Sequence, residues 1–300
     1  MSMMTIDDIA SFIETQLQVW PLAKKNYDAL IKVKRREVEI GNFPIGIQWN
    51  PARMVSTGAN ISKQEIDKRP CFLCRDNRPK EQLICNIFPG WELLVNPFPI
   101  LPMHLTIVST KHQPQERVPE DIVALAELLP GMVVFFNGAK AGASAPDHLH
   151  VQAVLKEELP LLRLIEKEHP SDKPGICTSE DFKVKPPYLV FSGVVTPGQD
   201  GLKTLLAGLR LGGISPDGKF SDPELVNSFF WIADDGLLRF AVVPRKAHRP
   251  SCYYAEGDEK RIISPGCIDM AGLIIAPRKE DYNHLSAEEL SKIFKEVAIS

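Results

Sequence analysis

The sequence predicts an α+β fold built on a mainly antiparallel sheet with flanking helices. Two observations predict it: helical and strand-like stretches are interleaved, and hairpin-like connections dominate between them. Residues 6–17 carry Ile6, Ile9, Phe12, Ile13 and Leu17 at helical spacing, with Thr5 placed as the N-cap. Residues 24–39 are strongly charged and are assigned to the surface. From residue 71 to 113 the texture changes to short strands and turns. Residues 91–95 and 105–109 read as strands, joined by the rigid loop Asn96-Pro-Phe-Pro-Ile-Leu-Pro. Residues 119–129 read as a helix, with Pro119 near its first turn and Ile122, Val123, Ala126 and Leu129 on one face.

Residues 131–136 form a buried strand, 137–146 a loop of small residues and 148–155 a further strand. The turn-forming stretch 170–187 is the linker, dividing the chain into 1–169 and 188–300. In the second part residues 188–194, 229–233, 237–243 and 271–275 read as strands, and Ser286 caps a final helix. A faint repeat relates Met103-His-Leu-Thr-Ile-Val-Ser-Thr-Lys-His to Met270-Ala-Gly-Leu-Ile-Ile-Ala-Pro-Arg-Lys, each leading to a helix. Chance similarity of two strand–helix units accounts for it as well as duplication does.

With 44% hydrophobic residues, 24% charged residues and a net charge of −3, the chain lacks the cationic excess of a general nucleic-acid binder. No apolar run approaches the roughly 20 residues that span a bilayer, and residues 1–8 show no secretory signal. The expectation is an enzyme-sized cytoplasmic globule, with neither nucleic acid nor a membrane as partner. Six cysteines are too sparse for a disulfide scaffold.

The most informative stretch is Asp147-His-Leu-His-Val-Gln-Ala. In a strand, alternate side chains share a face, so His148, His150 and Gln152 lie together opposite Leu149, Val151 and Ala153. A solvated face with incidental histidines, or a metal site, would account for H-x-H alone. The preceding run Asn137-Gly-Ala-Lys-Ala-Gly-Ala-Ser144 changes the weighing. Its small residues, Gly142 among them, let backbone amides approach an anion, while Asn137 and Ser144 add neutral donors and Lys140 a cation.

Loop and strand together resemble the galactose-1-phosphate uridylyltransferase branch of the histidine triad superfamily, which also holds diadenosine tetraphosphate phosphorylases and GDP-hexose phosphorylases. The form His148-Leu-His-Val-Gln-Ala and the tail from Asp269 to Tyr282 look most like the GDP-hexose phosphorylases. Ser144 stands one residue further from the first histidine than in the uridylyltransferases. The resemblance implies two histidine-triad-like halves, the second degenerate. It also implies a covalent nucleotidyl-histidine intermediate on His150, with Gln152 donating to a phosphate oxygen.

Cys71-Phe-Leu-Cys74 has three readings: a redox pair, two structural thiols, or half of a zinc site. The resemblance completes the last with His112 and His148, and a closed Cys₂His₂ shell makes such a zinc structural, with no catalytic metal required. It further implies Phe98 as a base-stacking candidate and His104 as a pocket residue, each otherwise read as core or surface. Arg53 is a candidate phosphate ligand, with an exposed ion pair as the alternative. The basic clusters at 244–249 and 278–279 are usually solvated, and in this branch are candidates for a sugar phosphate or phosphate.

The implied activity is phosphorolysis or nucleotidyl transfer on a nucleoside diphosphate sugar, GDP-hexose first. Diadenosine tetraphosphate phosphorolysis and uridylyl exchange follow, with phosphate or a sugar phosphate as acceptor and a homodimer left open. The competing class is a non-catalytic, zinc-stabilised nucleotide-binding protein.

Overall fold

The computed structural model describes residues 3–54, 63–168, 176–195 and 222–300. Its first helix, α1 (Ile6–Val19), starts at a capping box in which the Asp8 N–H donates to the Thr5 hydroxyl and the Thr5 N–H donates to the Asp8 carboxylate. Pro21 then starts α2 (Pro21–Asp28), fitting the first turn because its missing N–H has no partner there anyway. The charged stretch that follows is more than surface: it contains an edge strand, β1 (Lys34–Ile40), paired antiparallel with β2 (Phe43–Trp49). Solvent on one side of an edge strand lets Lys34, Arg35 and Glu37 stay hydrated, which hid the strand from a hydrophobic pattern.

The chain continues through α3 (Lys63–Lys68), β3 (Cys85–Phe88), β4 (Trp91–Val95), β5 (Leu105–Ser109), α4 (Ile122–Glu127), β6 (Met132–Asn137), β7 (His150–Leu155) and α5 (Pro160–Glu168). After it come β8 (Ile176–Thr178), β9 (Phe191–Val194), β10 (Val226–Ile232), β11 (Leu238–Pro244), α6 (Ser251–Tyr254) and α7 (Cys267–Met270). The last elements are β12 (Leu273–Ala276), α8 (Lys279–His284) and α9 (Ala287–Val297), the last capped by Ser286. Nine strands form one antiparallel sheet in the order β3-β4-β5-β7-β6-β10-β11-β9-β8. A second sheet, β1-β2-β12, has β12 parallel to β2. Strands from both 1–169 and 188–300 enter the large sheet, and its edge strand β8 is formed by part of 170–187. Residues 170–175 of that stretch lie outside the described residues. The two stretches related by the faint repeat are placed differently, β5 inside the large sheet and β12 at the edge of the small one.

Alternation along each strand divides the apolar residues between two cores. Leu93, Ile107, Val134, Phe136, Val151 and Phe230 face one core with Ile9 and Ile13 of α1 and Ile122 of α4. Val133, Phe135, Phe229 and Trp231 face the other, which includes Phe43, Ile45 and Ile47 of β2 and Phe294 of α9. Each such side chain, when fully buried, stabilises the fold by roughly 1.5–3 kcal/mol. At the β4–β5–β7 end this second face carries only a small cluster, Cys71, Leu73, Leu94, Val108 and Ala145. The space beside that cluster is where the functional side chains gather. Among the described residues no helix is long and apolar enough to cross a membrane.

Candidate active site

His150 is the first residue of β7, held between β5 and β6 and buried to 3% exposure. Its Nδ1 lies 2.7 Å from the His148 carbonyl, which only an N–H can approach, so the proton belongs on Nδ1. The other nitrogen, Nε2, is thereby left with its lone pair, and His150 lines a cavity of about 410 Å³. Burial holds the ring well below the ordinary histidine range, at about 4, and keeps it neutral.

Two residues along, Gln152 is oriented from behind by the same logic. The Ile100 N–H donates to His104 Nδ1, at 3.1 Å, which places the His104 proton on Nε2. That Nε2–H donates to Gln152 Oε1, at 2.7 Å, so the Gln152 amide presents its NH₂ end to the cavity. His104 is fully buried, and burial lowers its pKa to about 3. It therefore does not line the pocket as expected from sequence, nor lie at the surface: it supports Gln152.

Asn137 ends β6 opposite the start of β7. Its Oδ1 accepts from Asn227 Nδ2 at 3.0 Å and from the Cys267 N–H at 2.7 Å, which turns its NH₂ end away from both donors. Asn227 is fixed in turn by Arg245, a buried cation from the basic cluster at 244–249 whose Nη1 donates to Asn227 Oδ1 at 2.6 Å. The remaining Arg245 donors go to the carbonyls of Val297, Pro265, Ala247 and His248. Gly142 adopts φ +103°, and a Cβ there would stand 2.6 Å from the Gly266 Cα. Replacing Gly142 by alanine is expected to destabilise the protein by about 1–3 kcal/mol, from overpacking and an unfavourable φ, measured by urea unfolding.

Other expected residues divide. Arg53, Phe98, Gly142 and Ser144 line the cavity with Asn137, His150 and Gln152. Arg53 is not an exposed ion pair: its Nη1 donates to the Phe98 carbonyl at 2.6 Å, and burial lowers its pKa to about 10. Lys140 is drawn off by Asp222 and Glu224, at 2.5 and 2.6 Å. Arg278 pairs with Asp281 and Glu280, whereas His248 and Arg249 reach the cavity. Sequence reasoning did not find Trp20, Leu22, Ser264 or Asp269 at this cavity. Asp269 accepts from the Gly266 and Ile275 N–H groups, and burial raises its pKa to about 6. Its position at the start of the tail from Asp269 to Tyr282 was the one signal available.

Cys71, Cys74, His112 and His148 bring one ligand atom each to within 4.8 Å of one another. His148 Nδ1 lies 3.3 Å from Cys71 Sγ and 3.6 Å from Cys74 Sγ, while His112 Nδ1 lies 3.2 Å from Cys74 Sγ. Tetrahedral zinc with ordinary Zn–S and Zn–N bonds separates sulfur from nitrogen by about 3.5 Å. The His148 Nε2–H donates to the Ser109 carbonyl at 2.8 Å, so Nδ1 carries the lone pair a metal needs. The donor set thus fits a closed zinc site.

Comparison with known proteins bears on the fold that holds these residues. A family model described as a domain of unknown function (DUF4922) matches residues 12–155. The sequence matches no curated protein. Among solved structures, yeast Ap4A phosphorylase Apa2 aligns with a TM-score of 0.57 at 16% identity, covering 90% of this chain and 94% of that one. The chain has the fold of an Ap4A phosphorylase. The same yeast enzyme in complex with Ap4A gives a TM-score of 0.57 at 14% identity, over 96% of this chain and 97% of that one. The α+β architecture read from the sequence is therefore shared with that fold over nearly the whole backbone.

Proposed function

We propose that this chain is a nucleotidyl-transferring phosphorylase that carries a nucleoside monophosphate on His150. One observation carries the reading: the His148 carbonyl fixes the His150 proton on Nδ1, leaving the Nε2 lone pair at a cavity that Gln152 and Asn137 also line. Nε2 attacks the α-phosphorus of a bound donor and forms an N–P bond, while the P–O bond to the leaving group breaks. The ring becomes cationic as that bond forms, and the His148 carbonyl stabilises the charge through the Nδ1–H. Phosphate then attacks the same phosphorus, forming a P–O bond as the N–P bond breaks, which releases a nucleoside diphosphate and returns the lone pair to neutral His150. The NH₂ groups of Gln152 and Asn137 hold the charge on the phosphoryl oxygens.

The cavity has a suitable apolar lining. Trp20, Leu22, Phe72, Leu73 and Phe98 line it and offer surface for a base. Arg53 and Arg249 supply its cationic character. Within the class, the strand His148-Leu-His-Val-Gln-Ala favours a GDP-hexose donor, and the overall fold favours diadenosine tetraphosphate as the second reading. Both present the same electrophile, a nucleoside α-phosphorus in a phosphoanhydride. Cys71, Cys74, His112 and His148 would hold zinc, which supplies a fixed tetrahedral support for the strand that presents His150.

The test is intact-protein mass after brief exposure to GDP-glucose, UDP-glucose or diadenosine tetraphosphate without phosphate. An acid-labile nucleoside monophosphate adduct is expected, and the productive donor names the base. No adduct from any donor, despite measurable binding, would leave a nucleotide-binding protein instead. Replacing Gln152 by alanine is expected to slow adduct formation by about 10²–10³-fold, the usual loss of one transition-state donor. Donor affinity should change far less, as stopped-flow or quenched-flow single turnovers would show.

A further inference from the structure

The β6–β7 ladder stops short of the site. Paired residues run from Met132 with Leu155 to Phe135 with Gln152, so continuation would bring Asn137 opposite His150. It does not continue, although Asn137 remains paired with Asn227 of β10 on its other side. The side chain of Gln115 occupies the gap. Its Nε2 donates to the Asn137 carbonyl at 3.0 Å and to the His150 carbonyl at 2.8 Å, while its Oε1 accepts from the His150 N–H at 2.8 Å. Gln115 is fully buried, and its own N–H donates to the Pro146 carbonyl at 2.9 Å. One amide thus substitutes for a stretch of ladder and satisfies three backbone groups that would otherwise be buried without partners.

The consequence is geometric. Direct pairing would draw the two backbones to ordinary strand separation, about 4.7–4.9 Å. An inserted side chain holds them further apart, and so spaces the proposed nucleophile from the Asn137 amide. We propose that Gln115 is a positioning residue: by bridging the end of β6 and the start of β7 it sets the distance between His150 and Asn137 that admits a phosphoryl group. It touches no reacting atom, and it acts through the backbone of the two residues that do. This assignment rests on the phosphoryl-transfer reading of the site.

The experiment compares wild type with Gln115→Met, which keeps the length and loses the hydrogen bonds, and with Gln115→Asn, which keeps the amide but shortens its reach. Single-turnover adduct formation, donor Kd and backbone hydrogen exchange are measured on each folded protein. A displacement of about 1 Å at such a site lowers the rate by about 10²-fold. We expect that loss in both variants, with Kd changed less than about threefold and faster exchange of the His150 amide. A purely structural role would lower the fraction of folded protein while leaving the rate constant of the folded fraction at the wild-type value, and that result would overturn the proposal. If wild type itself forms no adduct, the phosphorylase reading fails separately. The bridge is then judged on exchange alone, where unchanged protection of the His150 amide in Gln115→Met would sink it.

Discussion

Replacing His150 by alanine abolishes the acid-labile adduct and lowers turnover on the productive donor by about 10⁶-fold, the scale on which loss of a covalent nucleophile acts. Such a loss exceeds what any single donor contributes, because the two-step route through nitrogen disappears and water or phosphate must attack directly. The variant should remain folded, since the His150 ring donates a hydrogen bond to the His148 carbonyl and leaves the backbone pairing of β7 untouched. Retained metal content and an unchanged donor Kd would show that the loss lies in the chemistry. Adduct formation at the wild-type rate in His150→Ala would place the nucleophile elsewhere. A tenfold loss alone would reduce His150 to a contact.

The second large effect is on stability. Purified protein is expected to hold about one zinc ion per chain, and stripping it with a strong chelator should lower thermal stability by on the order of 10 °C. Structural zinc supplies about 10–16 kcal/mol to isolated zinc-finger peptides. A domain with two larger cores elsewhere depends on it less, so a loss of several kcal/mol is the expected size. Cys71→Ser should reproduce the effect without chelator, because Cys71 is buried among the ligands in a small apolar cluster with Leu73, Leu94, Val108 and Ala145. Metal analysis and differential scanning calorimetry check both. Metal-free protein that unfolds at the same temperature as the untreated protein would contradict the expectation.

Local chemistry was legible in the sequence, and long-range chemistry was not. The strand alternation of Asp147-His-Leu-His-Val-Gln-Ala put His150 and Gln152 on one face, and both line one cavity. The helix over residues 6–17 and its Thr5 cap were readable because the cap and the apolar spacing lie within one short stretch. Edge strand β1 was not, since its apolar alternation is confined to Val38 and Ile40 and charged residues fill the other positions. Arg245 was grouped with a solvated basic cluster, yet it is 1% exposed and satisfied by oxygens from several segments. No window of sequence around residue 245 contains the groups that make such burial tolerable. Likewise His104 was offered a place in the pocket by the resemblance, whereas the Ile100 N–H and Gln152 decide its actual position. Lys140 sits in the loop as expected, but its charge is spent on Asp222 and Glu224, some 80 residues away in sequence.

The Arg245 network has a bearing on how the molecule is made. Asn137 is oriented by Asn227, 90 residues later, and by Cys267, 130 residues later, while Arg245 itself donates to Val297 close to the last residue of the sequence. Contacts of such high sequence separation require large loops to close and are typical of slow steps in folding. A chain emerging from the ribosome can form α1 and the β4–β5 hairpin early, but the Asn137 amide is aimed only after β10 and the residue 265–267 segment have docked. Competence of the site is therefore a late event, and a nascent or partly unfolded chain has His150 without the arrangement that would let it react.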